Sequence, residues 1–395
     1  MADSRSDRNE ENRLDESSEQ RPVPLGAFDV MGRIGSGGMA NVYRGRHHDD
    51  TSQWLAIKCM KPKLATEDRF IEMFTREARL AKMLDHPAIV HTVDSGYVDG
   101  CHYIVMEYIA GQDLNNVLKR CHHTKRRLPV PHSLYIAAEI SRALDFAHGL
   151  RDSEARPLNV VNRDVSPANV RLSYEGEVRL LDFGIAQAMM QVSSEIGILK
   201  GKFAYMSPEQ IRGLPVNNRS DTFSLGIVLH EMLTGDRLFK EDSEFALMER
   251  VRQADVRAPS VFNKRITAEV DELVMSMLSR DAARRPSASE VEARLSMLLE
   301  RYRFSPVELG EFVRGLFPAD FRDERERTIS PREDEEPAPI KKRRRKPPSV
   351  RTPVLGQEEE KHAWILEERP TAWGLFLAAA LLTFIALGIL LTVLL

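Results

Sequence analysis

Apolar residues follow two rhythms along this chain. From Phe28 to Glu107 they alternate with polar residues in short runs, "FDVMGRIG", "ANVYRGRH", "WLAIKCM", "AIVHTVDSGYV" and "HYIVMEYI", the period-two pattern of half-buried strands. One stretch, Asp68 to Leu84, interrupts them with helical spacing. After Gly111 the helical period dominates, as in "SLYIAAEISRALDFAHGL" and "DTFSLGIVLHEMLTG". The pattern predicts an α+β fold over residues 28–300, with a small strand-rich lobe at 28–107 and a larger helical lobe at 112–300.

The flanks keep neither rhythm. Residues 1–24 are rich in Ser, Asp, Glu, Arg and Asn and are expected to be disordered, because they hold too little apolar surface to offset the entropy of ordering. "SPVELGEFVRGLF" predicts one more helix within 301–322, packed on the folded unit. Charge and proline from 323 to 370 read as a flexible tether. Residues 373–395, "WGLFLAAALLTFIALGILLTVLL", carry no charge and are long enough to cross ~30 Å of hydrocarbon as a helix, so a membrane span is expected.

No apolar leader precedes the folded region, which is therefore expected on the cytoplasmic side of a single-pass anchor. The run Lys341 to Lys346, "KKRRRK", agrees with that side and offers contact to anionic lipid headgroups. The span lacks a clear GxxxG pattern, which leaves dimerisation through it without support. At 395 residues the chain has room for one large domain or two medium ones, and no internal repeat is visible. A net charge of −3 gives no reason to expect a nucleic-acid partner. Cys59, Cys101 and Cys121 form no C-x-x-C pair, which fits a reducing compartment.

Candidate chemistry clusters in a few segments. "GRIGSGGMANVYRG" sets Gly35, Gly37 and Gly38 in a turn between two predicted strands, where the absence of a Cβ lets backbone N–H groups approach phosphate oxygens. "LAIK" places Lys58 on the next strand, and Glu77 lies nineteen residues later in the helical stretch, where it could face that ammonium. Downstream, "NRDVSPAN" offers the Asp164 carboxylate to orient and deprotonate a hydroxyl, and Asn169 as an amide oxygen for a metal. "LLDFGIA" adds Asp182, a hard oxygen ligand suited to Mg²⁺.

These motifs in this order resemble a eukaryotic-type protein kinase, specifically the bacterial serine/threonine (Hanks-type) branch, over about residues 28–300. The match rests on Gly35-x-Gly37, Ala56-Ile57-Lys58, Glu77, Arg163-Asp164, Asn169, Asp182-Phe183-Gly184, Ser207-Pro208-Glu209, Asp221 and Arg285. The resemblance implies the bilobal protein-kinase fold, with ATP and Mg²⁺ as cofactors (Mn²⁺ as a substitute ion) and proteins as substrates. Lys58 would contact the α- and β-phosphates while paired to Glu77, Asp164 would be the catalytic base, and Asn169 and Asp182 would bind the metal. Nucleotide contacts would come from Ile34, Gly35, Ser36, Gly37 and Gly38, and from Val42, Ala56 and Asp113. Met106 would be the gatekeeper, with Glu107 to Ile109 as the hinge. Glu209 would pair with Arg285, and Asp221 would brace the catalytic loop.

Five positions depart from the pattern. Asn162 replaces the usual His, and Ser166 the usual Lys that helps neutralise the transferring phosphoryl, a loss worth ~3 kcal/mol or about a hundredfold in rate. Lys202, at a position usually held by Thr, is a candidate source of that missing charge. Ala40 stands for the third glycine. Arg171 stands where an apolar residue supports adenine, and its stem could do this with the head in water. Because the groups that handle charge are intact, an ATP-dependent serine/threonine kinase acting on cytoplasmic proteins and on itself is expected; the alternative is a pseudokinase scaffold that binds nucleotide. A small-molecule phosphotransferase is a third reading. Ser193 and Ser194 are candidate activating phosphosites in the segment Asp182 to Glu209, with Arg163 as the cationic partner. The basic run Lys119 to Pro129 reads as a solvated loop or a lure for acidic substrates.

Overall fold

The computed structural model describes residues 22–183 and 202–329. Six strands open the chain as one antiparallel sheet: β1 (Val23–Leu25), β2 (Phe28–Ser36), β3 (Ala40–His47), β4 (Leu55–Met60), β5 (Thr92–Val98) and β6 (Cys101–Glu107), in the order β1-β2-β3-β4-β6-β5. The turn from β5 to β6 is Asp99-Gly100, both at positive φ (48° and 84°), the backbone a two-residue hairpin requires. Helix α1 (Asp68–Met83) lies between β4 and β5 in sequence.

Strand parity decides which face each side chain serves. On β4, Leu55, Ile57 and Cys59 join Phe28, Val30, Tyr43 and Val105 in one cluster. The alternate residue Met60 instead joins Phe74 and Ala78 of α1. Lys58, two residues from Met60, therefore points to the α1 side of the sheet.

The second lobe begins with β7 (Gly111–Asp113), α2 (Leu114–His123) and α3 (Val130–His148). Next come β8 (Val170–Ser173) and β9 (Val178–Leu180), which complete a three-stranded sheet in the order β7-β8-β9. Helices α4 (Pro208–Ile211), α5 (Asn218–Thr234), α6 (Glu244–Gln253), α7 (Ala268–Met277) and α8 (Ala288–Leu299) follow. Every residue of α5 from Ser220 to Thr234 is buried, so this helix is the axis of the lobe, with α3 against it. Asn217 caps its start by accepting from the Arg219 N–H, and Gly235 at φ 86° ends it.

Two places differ from the sequence expectation. Ile89 and Val90, read as the start of a strand, cross to the other lobe: Ile89 bridges Leu180, and the Val90 N–H donates to the Leu180 carbonyl at 3.0 Å. The expected single helix of 301–322 is a pair, α9 (Pro306–Leu316) and α10 (Pro318–Ile329), and the second runs past residue 323, where the tether was placed. Side chains on both lobes hold α10 there. Its Phe321 ring lies 5.1 Å from that of Tyr174, and its Glu324 reaches the first lobe as an ion pair with Arg44.

Among the described residues no helix is long and apolar enough to cross a membrane. The Trp373–Leu395 span, the Lys341–Lys346 run, Gly184 and the Ser193–Ser194 pair lie outside the described residues, as do residues 1–21 and the tether beyond Ile329.

Candidate active site

Lys58 meets its partners because of the parity just described. Glu77 stands three residues beyond Phe74 on the inner face of α1, and its Oε1 lies 2.6 Å from Lys58 Nζ. On the other side Asp182 Oδ1, at the exit of β9, lies 3.1 Å from the same ammonium. Burial works against the charge on Lys58, but the Asp182 and Glu77 carboxylates outweigh it and hold the amine protonated above its usual range. One cation thus links the sheet, α1 and the second lobe.

The loop before β8 is pinned by hydrogen bonds to its backbone. Asp221, fully buried at the start of α5, accepts the N–H groups of Asn162 and Arg163, each at 2.8 Å, and lies 2.8 Å from His148 Nε2. Arg163 takes φ 66°, and its carbonyl accepts from Gln210 Nε2 at 3.0 Å. Asn162 Nδ2 donates to the Asp182 carbonyl at 2.9 Å, while its Oδ1 accepts the Asp164 N–H at 3.1 Å. Asn169, at the end of a short 3₁₀ turn, donates from Nδ2 to the Asp164 carbonyl at 2.8 Å, which leaves its amide oxygen for another partner. Lys202 Nζ lies 2.7 Å from Asp164 Oδ2.

Metal chemistry can be judged from the oxygens left over. Asp182 gives one oxygen to Lys58, and its side chain remains partly exposed. A carboxylate and an amide oxygen suit Mg²⁺, which binds through one or two protein groups and completes its shell with phosphate and water. Among the described residues no group of three or more His, Cys, Asp or Glu side chains is gathered for a metal.

The cleft above is framed by the glycine turn and the hinge. Gly35 pairs with Val42 and Ser36 with Asn41 across β2 and β3. A Cβ at Gly35 or Gly37 would meet only ordinary contacts, 3.7 Å to Val42 and 3.5 Å to the Ala40 carbonyl. The fold itself therefore does not demand glycine at those positions, and a ligand approaching the backbone would. Ile34 is exposed at the mouth, and Ala56 pairs with Met106 across β4 and β6. The Glu107 carboxylate turns away to accept the His91 N–H at 2.9 Å, so only its backbone can face the cleft.

Two residues behave differently from expectation. The Arg171 head does not run to water: its Nε donates to the Ile109 carbonyl at 3.1 Å, because β7–β8 register places it opposite Asp113 beside the hinge exit. Asp113 is the N-cap of α2, where one oxygen accepts the Asn116 N–H at 2.7 Å and the other its side-chain amide at 2.9 Å. Any nucleotide contact from Asp113 would be shared with that cap.

Glu209 and Arg285 form a two-pronged pair at 2.6 and 2.8 Å, with the Ser220 hydroxyl on the same carboxylate at 2.6 Å. Burial opposes the Glu209 charge, yet the Arg285 and Ser220 bonds lower its pKa to about 2. Sequence reading missed the supports that come from afar: His148 on Asp221, Gln210 on Arg163, and the contact of Glu324 with the hinge, where the Tyr108 hydroxyl donates to Glu324 Oε2 at 2.9 Å. None has a local signal, since each joins segments forty or more residues apart.

Comparison with known proteins agrees with this arrangement. The protein kinase domain model matches residues 28–294. The chain is 35% identical over 310 residues to the tyrosine-protein kinase MasK of Myxococcus xanthus, covering 77% of this chain and 48% of that one. It is 33% identical to the serine/threonine-protein kinase PknB of Mycobacterium tuberculosis, over 66% of this chain and 41% of the relative. The chain thus spans less than half the length of either relative. Among solved structures, the PknI kinase domain of Mycobacterium tuberculosis aligns with TM-score 0.53 and 26% identity, over 70% of this chain and 98% of that one. With the family model covering most of the folded residues and the cleft built as described, the chain belongs to the protein kinase family.

Proposed function

We propose that this chain is an ATP- and Mg²⁺-dependent protein serine/threonine kinase that phosphorylates cytoplasmic proteins and itself. The observation that carries the reading is the convergence of Lys58, Glu77 and Asp182 within 3.1 Å contacts, beside a loop that presents Asp164 and Asn169. Phosphoryl transfer is mostly positioning and electrostatics, and this set supplies both.

In the proposed reaction the substrate hydroxyl oxygen bonds to the γ-phosphorus. The bond from that phosphorus to the β–γ bridging oxygen breaks, ADP leaves, and the hydroxyl proton passes to Asp164. Lys58 binds the α- and β-phosphates, and Glu77 keeps its ammonium aimed there. Asn169 and Asp182 would hold the Mg²⁺ (or Mn²⁺), which when bound neutralises charge between the phosphates. Ile34 to Gly38, Val42 and Ala56 would cover the nucleotide. The hinge backbone from Glu107 to Ile109 would hold adenine, with Met106 behind it.

Membrane attachment through residues 373–395 is part of the proposal, supported by 23 uncharged residues in succession. The purified 395-residue chain, given Mg²⁺ and γ-labelled ATP with a basic protein as acceptor, is expected to transfer label, and Asp164→Asn to lose it. Nucleotide binding without transfer would favour a scaffold. Phosphoamino-acid analysis tests the residue class, since Ser166 departs from the serine/threonine pattern and MasK is named a tyrosine kinase.

A further inference from the structure

The catalytic loop, read on its own, is short of positive charge. Ser166 occupies the position from which the family's lysine reaches the transferring phosphoryl, and a serine side chain is three heavy atoms too short to replace it. Yet the Asp164 carboxylate has an ammonium 2.7 Å away, supplied by Lys202, thirty-eight residues further along the chain. We propose that Lys202 is the cation of the phosphoryl-transfer step: it binds the γ-phosphoryl oxygens beside Asp164 and does from the activation segment what a lysine at position 166 would do from the loop. The proposal rests on the kinase reading above.

Three observations favour this over a casual surface ion pair. First, the ammonium is placed at the carboxylate proposed to take the hydroxyl proton. That oxygen must lie beside the attacking hydroxyl, so a cation 2.7 Å from it is within reach of the phosphorus being attacked. Second, its support is built in. The turn that follows, Phe203–Tyr205, is held by the Tyr205 hydroxyl donating to Glu231 of α5 at 2.6 Å, and Ala204, Met206 and Ser207 are buried. Third, the two partners share an anchor. Gln210, in a capping box with Ser207, donates to the Arg163 carbonyl at 3.0 Å, next to Asp164 in the chain. Exposed pairs gain little, mainly because two long side chains must be ordered to meet. Here one partner is the short, largely buried Asp164, so the ordering cost falls on the Lys202 side chain alone.

The chemistry fits the location. During transfer the γ-phosphoryl carries its charge on three equatorial oxygens, and a positioned cation there stabilises the transition state more than the ground state. In the ground state Lys202 neutralises Asp164. With nucleotide and acceptor bound, its ammonium bridges that carboxylate and a phosphoryl oxygen, and no proton need leave it. A purely structural lysine would be replaceable by any residue that preserves the fold, and would not be replaceable by a lysine at a different position in the chain. A catalytic cation predicts the reverse.

That contrast defines the experiment, run on the 395-residue chain with steady-state kinetics for ATP and a basic protein acceptor. Lys202→Ala and Lys202→Met, the second retaining the bulk of the stem, are each expected to lower kcat by about a hundredfold with KM for ATP changed by less than about threefold. Adding Ser166→Lys to either variant is expected to recover about tenfold or more, although the new lysine is on another segment. Thermal stabilisation by Mg²⁺–ATP, measured in parallel, establishes that each variant is folded. The proposal is overturned if both single variants keep kcat within about threefold of the parent, or if folded double variants are no faster than the single ones. An inactive parent chain would instead sink the kinase reading, and this inference with it.

Discussion

Asn162 links the two acidic residues of the cleft: its side-chain amide donates to the Asp182 carbonyl at 2.9 Å, and its side-chain oxygen accepts the Asp164 N–H at 3.1 Å. The residue is 0% exposed. The Asn that stands in place of the usual His thus keeps the connection between catalytic loop and metal-side carboxylate. Replacing Asn162 by Ala would leave a buried donor and a buried acceptor without partners, each worth about 1–3 kcal/mol. Asn162→Ala is expected to lower the urea midpoint by an amount equivalent to about 2–4 kcal/mol and to slow transfer at least tenfold. Chemical denaturation and the labelled-ATP assay check both; a variant as stable and fast as the parent would refute the linkage.

Lys58→Met is expected to abolish transfer below about a thousandth of the parent rate, because the triphosphate loses the cation that β4 presents while Glu77 and Asp182 are left facing each other. The sign of the pH effect follows from the direction of the shift. A lysine held above its usual range contributes stability fully below its unfolded pKa of 10.5 and loses it only as pH rises through the higher folded value. No alkaline loss of activity from Lys58 is therefore expected below pH 10.5. A loss in that range that persists when the nucleotide and acceptor are saturating would count against the assignment.

Glu209 gives the opposite sign. Its pKa falls from 4.5 to about 2, so the pair with Arg285 contributes fully above pH 4.5 and is lost as pH drops toward 2. Removing one partner strands Arg285, which is 1% exposed, and costs about 3–5 kcal/mol. Thermal melts of Glu209→Gln against the parent should differ widely at pH 7 and converge between pH 4.5 and 2. A gap that stays constant across that window would show that the carboxylate charge is not what matters.

The contact of α10 with the first lobe is also measurable. Arg44 is stacked on the rings of Tyr108, at 4.2 Å, and Trp54, at 4.9 Å, while its guanidinium pairs with Glu324. Arg44→Ala and Glu324→Ala are each expected to destabilise by about 2–4 kcal/mol, since each leaves a largely buried charge without its ion-pair partner. A double-mutant cycle should return a coupling of about 1–3 kcal/mol. Additive losses would mean the two side chains act independently.

Much of the site could be read from residue order alone. Lys58 on an alternating strand and Glu77 on an amphipathic helix carry their orientation in their periodicities, and the structure joins them as those periodicities imply. Asp164, Asn169 and Asp182 sit in short segments whose spacing holds their relation. What stayed hidden depends on contacts between distant segments. The part of helix α10 from Asp323 reads as tether because "DERERT" has no apolar period, and it is helical because Phe321 and Glu324 find partners on Tyr174, Arg44 and Tyr108. Likewise the partner of Lys202 is set by how the chain returns to the cleft, which no local pattern encodes.

The close seat of α9 has a practical bearing on where this domain stops. An ideal Cβ on Gly176 would fall 1.9 Å from the Pro306 carbonyl oxygen, and one on Gly310 would fall 2.6 Å from that of Tyr174, so backbone meets backbone there with no side chain between. A fragment cut at residue 294, the limit of the family match, would strip this seam bare and unhook the back of the nucleotide cleft. A fragment that keeps both the seam and the clasp on the hinge must therefore extend past Glu324, whose carboxylate holds Tyr108 and Arg44.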